Sequence, residues 1–132
     1  MKQLIVFNYF SVPQEVFNQL AAAKDRYETT TDLLVESEEF PTIDIDKFWI
    51  QLGQYLEGSP ALTAVYGTEE WDSELRVSSP AQVVELAQTL AEIDLKQLEE
   101  EYGGELINSA QELQSFYSEA AERGDAVIVI AQ

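Results

Sequence analysis

The two ends of this chain carry its most constraining feature: each holds a run of apolar, β-type residues. Residues 3–10 read Gln-Leu-Ile-Val-Phe-Asn-Tyr-Phe, and Ala126-Val127-Ile128-Val129-Ile130 lies near the other end. A strand exposed on one face alternates apolar with polar residues. A near-continuous apolar run belongs to a strand covered on both faces. The two runs are therefore expected to be neighbours in a central sheet, with the intervening chain supplying the cover.

That chain reads mostly as helix. Ser11 and Gln14 have capping-box spacing with Pro13 in the first turn, so a helix is expected from here to about Arg26, burying Val16, Phe17, Leu20 and Ala23. Residues 27–43 are the least regular: Thr29-Thr30-Thr31 leads into Leu33-Leu34-Val35, a possible short strand, and Pro41 stops any helix. Asp44-Ile45-Asp46 is expected to start a second helix with a carboxylate cap, carrying Phe48, Trp49, Leu52, Tyr55 and Leu56 and ending at Gly58-Ser59-Pro60. Trp49 is expected to be buried. Leu62 to Tyr66 is a strand or one helical turn, Glu69 to Asp72 an acidic loop, and Leu75-Arg76-Val77 a strand. Ser79-Pro80-Ala81-Gln82 is a strong helix start, with Val83, Leu86, Ala87, Leu90 and Ala91 facing inward. A short helix follows from Asp94 to Tyr102, broken at Gly103-Gly104. The last helix is expected from about Asn108 or Ser109, with Gly124 at its C-cap.

The order of these signals resembles a known family. An Asp-X-Asp-Lys-X-Trp helix start (Asp44 to Trp49) precedes a short segment ending in Gly67. A Ser-Pro helix (Ser79 to Val84) and a Phe-Tyr-X-X-Ala-Ala helix (Phe116 to Ala121) follow, the last running into the apolar strand. From about residue 43 onward this is similar to the YfbM-like family of small bacterial proteins, domain of unknown function 1877. The resemblance implies a compact α+β domain and no established activity, cofactor or catalytic residue. This chain departs from the pattern in two ways: it looks shorter in its middle, and it is unusually acidic. The expectation is one α+β domain over residues 1–132, with about four to five helices on a small sheet that contains both terminal strands.

Charge bounds the function. Twenty-five Asp and Glu face seven Lys and Arg, a net charge of −18 on 132 residues, and there is no His and no Cys. Without His no side chain has an unperturbed pKa near neutrality, and a serine nucleophile lacks its usual base. Without Cys there is no thiolate, disulfide or soft metal ligand. The four lysines, Lys2, Lys24, Lys47 and Lys96, sit in no Ser–Lys motif, and Gly103-Gly104 is a turn rather than a phosphate loop. Direct nucleic-acid binding and anionic membranes are disfavoured, since both need cations. No stretch approaches the roughly 20 apolar residues of a transmembrane helix. Met1 to Phe7 has no small-residue cleavage site and reads as a strand rather than a signal peptide, so the cytoplasm is the expected compartment. No cofactor and no metal are expected. The acidity itself serves solubility, docks a basic protein, or imitates a nucleic-acid backbone.

Three clusters merit attention. Asp44 and Asp46, with Lys47 and Trp49, suit an acid/base pair or hard-cation ligands, but helix capping is the simpler assignment, and the spacing fits no calcium loop. Glu69-Glu70-Trp71-Asp72 would offer a basic, apolar partner a Trp ringed by carboxylates. Glu99-Glu100-Glu101, with Glu105 close behind, puts negative charge at a helix C-terminus, where it opposes the macrodipole. The favoured role is non-catalytic protein binding, of an immunity or inhibitory type, through Glu69, Glu70, Trp71, Asp72, Glu99, Glu100, Glu101 and Glu105. The alternative is a hydrolase-type enzyme using carboxylates, with or without a divalent metal.

Overall fold

The C-terminal apolar run is strand β5 (Ala126–Ala131), and it lies at the centre of the sheet. On one side it pairs antiparallel with β1 (Phe7–Val12), from Phe7 opposite Ala131 to Val12 opposite Ala126. The two terminal runs are thus neighbours, as their composition required. The computed structural model describes residues 6–45 and 48–131, so residues 3–5 of the expected first strand lie outside the described residues. Beyond β1 is β2 (Thr42–Asp44). On the other side of β5 come β4 (Leu75–Ser78) and β3 (Glu69–Asp72), giving the order β2-β1-β5-β4-β3 with every neighbouring pair antiparallel.

Both faces of the sheet are covered. Alternation along β5 sends Val127 and Val129 into one core and Ala126, Ile128 and Ile130 into the other. Helices α1 (Gln14–Ala21) and α2 (Arg26–Ser37) close the second core with Leu20 and Leu34. The first and larger core lies under α3 (Trp49–Tyr55), α4 (Leu62–Tyr66), α5 (Pro80–Ala91), α6 (Leu95–Tyr102) and α7 (Gly104–Arg123). The fold is α+β, with seven helices among the described residues rather than four to five.

The extra helices arise where local signals mislead. Residues 26–37 form a helix, not an irregular segment with a strand at 33–35. Asp25 caps it, accepting from the Glu28 N–H at 3.0 Å, and Thr30 and Leu34 are buried. Packing outweighs the β-branched run. Ser11 is not an N-cap: β1 continues through Val12, α1 starts after Pro13 with no side-chain cap, and Ala23 lies beyond the helix. Asp44 belongs to β2 and α3 begins after Phe48, so Asp44 is no helix cap; Asp46 and Lys47 lie outside the described residues. Trp49 is half-buried rather than buried, stacked on Phe7 at 4.3 Å, while Leu52 of the same helix is fully enclosed. The last helix starts at Gly104, earlier than expected.

The capping signals elsewhere hold. The Ser79 hydroxyl accepts from the Gln82 N–H at 3.3 Å, and the Gln82 side chain accepts from the Ser79 N–H at 2.8 Å. Gly124 takes the left-handed conformation, φ 74°, after α7. The Gly124 N–H then donates to Ala121 and the Asp125 N–H to Ala120, the paired bonds of a Schellman turn.

Two buried tyrosines hold the five-residue α4. The Tyr9 hydroxyl donates to the Val65 carbonyl at 2.7 Å, and Tyr117 donates to Ala64 at 2.6 Å. These carbonyls lie in the last turn, where a helix leaves acceptors unpaired. Burial raises both phenols well above their ordinary values, and the neighbouring Tyr117 and Tyr66 raise Tyr9 further.

Candidate functional site

Residues 69–72, expected as a loop, form edge strand β3. Glu69 stands opposite Val77, Glu70 opposite Arg76 and Asp72 opposite Leu75, with an irregularity between Glu70 and Asp72. Glu69, Glu70 and Asp72 are exposed. Charges and a bulge are common on sheet edges, where they discourage pairing with another chain. Trp71 is not ringed by carboxylates. It turns toward the second core, stacks on Phe17 at 5.3 Å and carries the Arg26 guanidinium 5.0 Å from its ring. Arg26 also donates to the Ala21 carbonyl at 3.0 Å, so Trp71 braces β3 against the joint between α1 and α2. Nearby, the Tyr27 hydroxyl donates to Glu74 at 3.1 Å, and that bond raises its phenol. The Arg76–Glu70 contact, 3.9 Å between exposed groups, adds little.

Glu99, Glu100 and Glu101 are exposed on α6, whose Leu98 is fully buried. Glu105 is exposed too, but in the first turn of α7, where negative charge meets the positive end of the dipole. The two expected patches are not brought together. β3 packs on β4 and α2, whereas α6 packs on α7.

Two shallow grooves flank the turn between α5 and α6 on this side. One, about 470 Å³, lies between α5 and α7 and has Ala87, Ala91, Ile93 and Leu95 in its apolar lining, with Ser115, Ser118 and Glu119 from α7. Ala91 is exposed and Ala87 only half-buried, so these two belong to the groove and not to the buried face expected for them. Gln114 supports the groove by donating to the Leu90 carbonyl at 2.7 Å. The second groove, about 500 Å³, is reached across Ile93 and includes Tyr55, Glu92, Asp94 and Gln97. Partial burial raises the Tyr55 phenol, and the Asp94 and Glu101 charges raise it further. Both helical layers are strongly acidic. Residues 79–123, from the start of α5 to the end of α7, hold ten Asp and Glu against Lys96 and Arg123, and residues 13–40 hold seven against Lys24 and Arg26.

A family model described as a domain of unknown function, DUF1877, matches residues 5–105. The chain belongs to this family. The matched span reaches back to the first strand, well before residue 43, and ends before the Phe116 to Ala121 motif. Among solved structures, a protein of unknown function, YfbM from Escherichia coli, is similar at 19% identity. That match covers 96% of this chain and 99% of that one with a TM-score of 0.72. At this identity the likeness shows the shared fold. No curated protein matches.

One polar cluster of this DUF1877 chain went unseen in the sequence. Ser11, fully buried at the end of β1, donates to the Asp125 carboxylate at 2.7 Å. Arg123 donates to Asp125 at 3.1 Å and to the Ser11 oxygen at 2.9 Å. Ser11 is fully enclosed and out of reach of a substrate, and the Asp125 carboxylate that accepts its proton is paired with Arg123, so the cluster fastens the two terminal strands rather than arming a nucleophile. The residues lie 114 positions apart, so no local spacing could signal them. Among the described residues, no three carboxylates converge to hold a metal ion, and no helix is long and apolar enough to cross a membrane.

Proposed function

We propose that this protein is a non-catalytic binding domain, of an immunity or inhibitory type, whose acidic helical layer captures a basic protein. The observation that carries this reading is the charge of residues 79–123, ten carboxylates to two cations, around two grooves lined by both apolar and polar side chains. Such a surface steers a basic partner into encounter and then offers apolar area to bury. Glu99, Glu100, Glu101 and Glu105 belong to this layer and form its main electrostatic patch. Glu69, Glu70 and Asp72 form a secondary patch on the sheet edge, while Trp71 supports them from beneath.

The test is affinity capture at low and high salt, with the retained proteins identified by mass spectrometry. A basic protein should be retained at low ionic strength and released as the Debye length shrinks toward about 8 Å at physiological salt. Changing Glu99, Glu100, Glu101 and Glu105 to Gln should slow association with that protein about tenfold or more. The same change at Glu69, Glu70 and Asp72 should have the smaller effect. Retention of no basic protein, or binding indifferent to both salt and these substitutions, refutes the reading.

A further inference from the structure

Resting on that reading, we infer that the groove between α5 and α7 is the seat for one cationic amphipathic helix of the partner. Two features converge there, an exposed apolar stripe and a small-residue floor. Val84, which is 43% exposed, stands on the same side of α5 as Ala87 and Ala91, extending the groove floor into a stripe. The stripe from Val84 to Ala91 rises about 10 Å, the distance spanned by anchors at i, i+4 and i+7 of an incoming helix. Ala87, Ala91, Ser115 and Ser118 are all small, so such a helix can approach to an ordinary interaxial distance of about 8–10 Å.

Charge selects the occupant. Glu119 lines the groove, and Glu92 and Asp94 line the neighbouring groove that shares Ile93, so lysines or arginines flanking the apolar face of the helix find carboxylates in and next to its seat. A second copy of this chain would bring ten more carboxylates against ten and is repelled. Four of the eight lining residues are apolar, area that a purely ionic partner would leave unburied, and the negative rim repels an acidic one.

The experiment uses the whole protein and two synthetic 18-residue peptides of leucine and lysine. One is patterned as an amphipathic helix; the other is its scramble with the same charge. Nitrogen–proton NMR spectra should show the amphipathic peptide moving the amides of Ala87, Ala91, Ile93 and Ser118, with an affinity at least tenfold above the scramble. Filling the groove by Ala91→Trp should abolish that tenfold preference. Ser118→Trp is the second variant; both positions are exposed, and unchanged circular dichroism confirms the fold. If both peptides bind equally, with shifts centred on Glu99 to Glu105, the acidic layer attracts cations but the groove is not the seat. That result overturns this inference and leaves the basic-partner reading standing. Failure of the amphipathic peptide to bind, or a preference surviving both tryptophans, overturns it as well.

Discussion

Removing the Tyr117 hydroxyl tests the idea that two tyrosines, and not helix propensity, hold α4 in place. Five residues are too few for a self-sustaining helix. The Thr63 carbonyl is already taken by the Gly67 N–H at 2.7 Å, while Ala64 and Val65 rely on Tyr117 and Tyr9. Tyr117→Phe keeps the ring and leaves the Ala64 carbonyl buried without that donor, which costs about 1–3 kcal/mol. Urea denaturation at pH 7 should show that loss with an unchanged m-value. Alkaline pH gives a second, independent reading. Unfolded tyrosine ionises near 10, whereas burial holds folded Tyr117 protonated far above that. Its contribution to stability is therefore complete below about pH 10 and is lost as pH rises above it. The loss is about 1.4 kcal/mol per pH unit, or about 2–3 kcal/mol between pH 10 and 12. The Phe variant should be the less stable protein at pH 7 and should lose about that much less on going to pH 12. A cost below about 0.5 kcal/mol at pH 7, or stability–pH curves that run parallel, would refute the reasoning.

Two further outcomes test the sheet. Ile128→Asp, at a fully enclosed position facing α1 and α2, should destabilise by several kcal/mol or prevent folding, read as loss of the cooperative urea transition. Asp125→Ala, which takes the acceptor from buried Ser11 and the counter-charge from Arg123, should cost about 1–3 kcal/mol by the same measurement. Ser11→Ala in that background should then recover part of the loss.

The parts of the fold legible in the sequence are those whose signals are local and strong. The apolar run of β5 needs cover on both faces wherever it lies, and the reciprocal bonds of Ser79 and Gln82 are complete within four residues. Segments decided by distant packing carry misleading local signals. Thr29 to Thr31 argue for strand, yet burial of Thr30 and Leu34 against the sheet makes α2 a helix. Glu69 to Asp72 argue for a loop, because an edge strand can carry charges that a central strand cannot. Ser11 imitates a cap because capping chemistry and a strand followed by proline look alike in one dimension. The acidic residues were plain, but the groove was not. Ala91 and Ser115 reach it from different helices, and no spacing along the chain announces a surface formed by two elements.

The position of β5 has a consequence for how the molecule comes into being. It follows the other four strands in chain order and is the middle of the sheet, so until it arrives β2 and β1 form one fragment and β4 and β3 another, with nothing between them to join. Closing the loop from Ser11 to Asp125, 114 residues, costs about 4 kcal/mol of chain entropy before the pairing compensates. On the ribosome, both half-sheets must wait with an open inner edge until residues 126–131 emerge. The interval in which the sheet is most open to mispairing is therefore set by how soon α7 and β5 follow β4, not by the chemistry of the acidic surface.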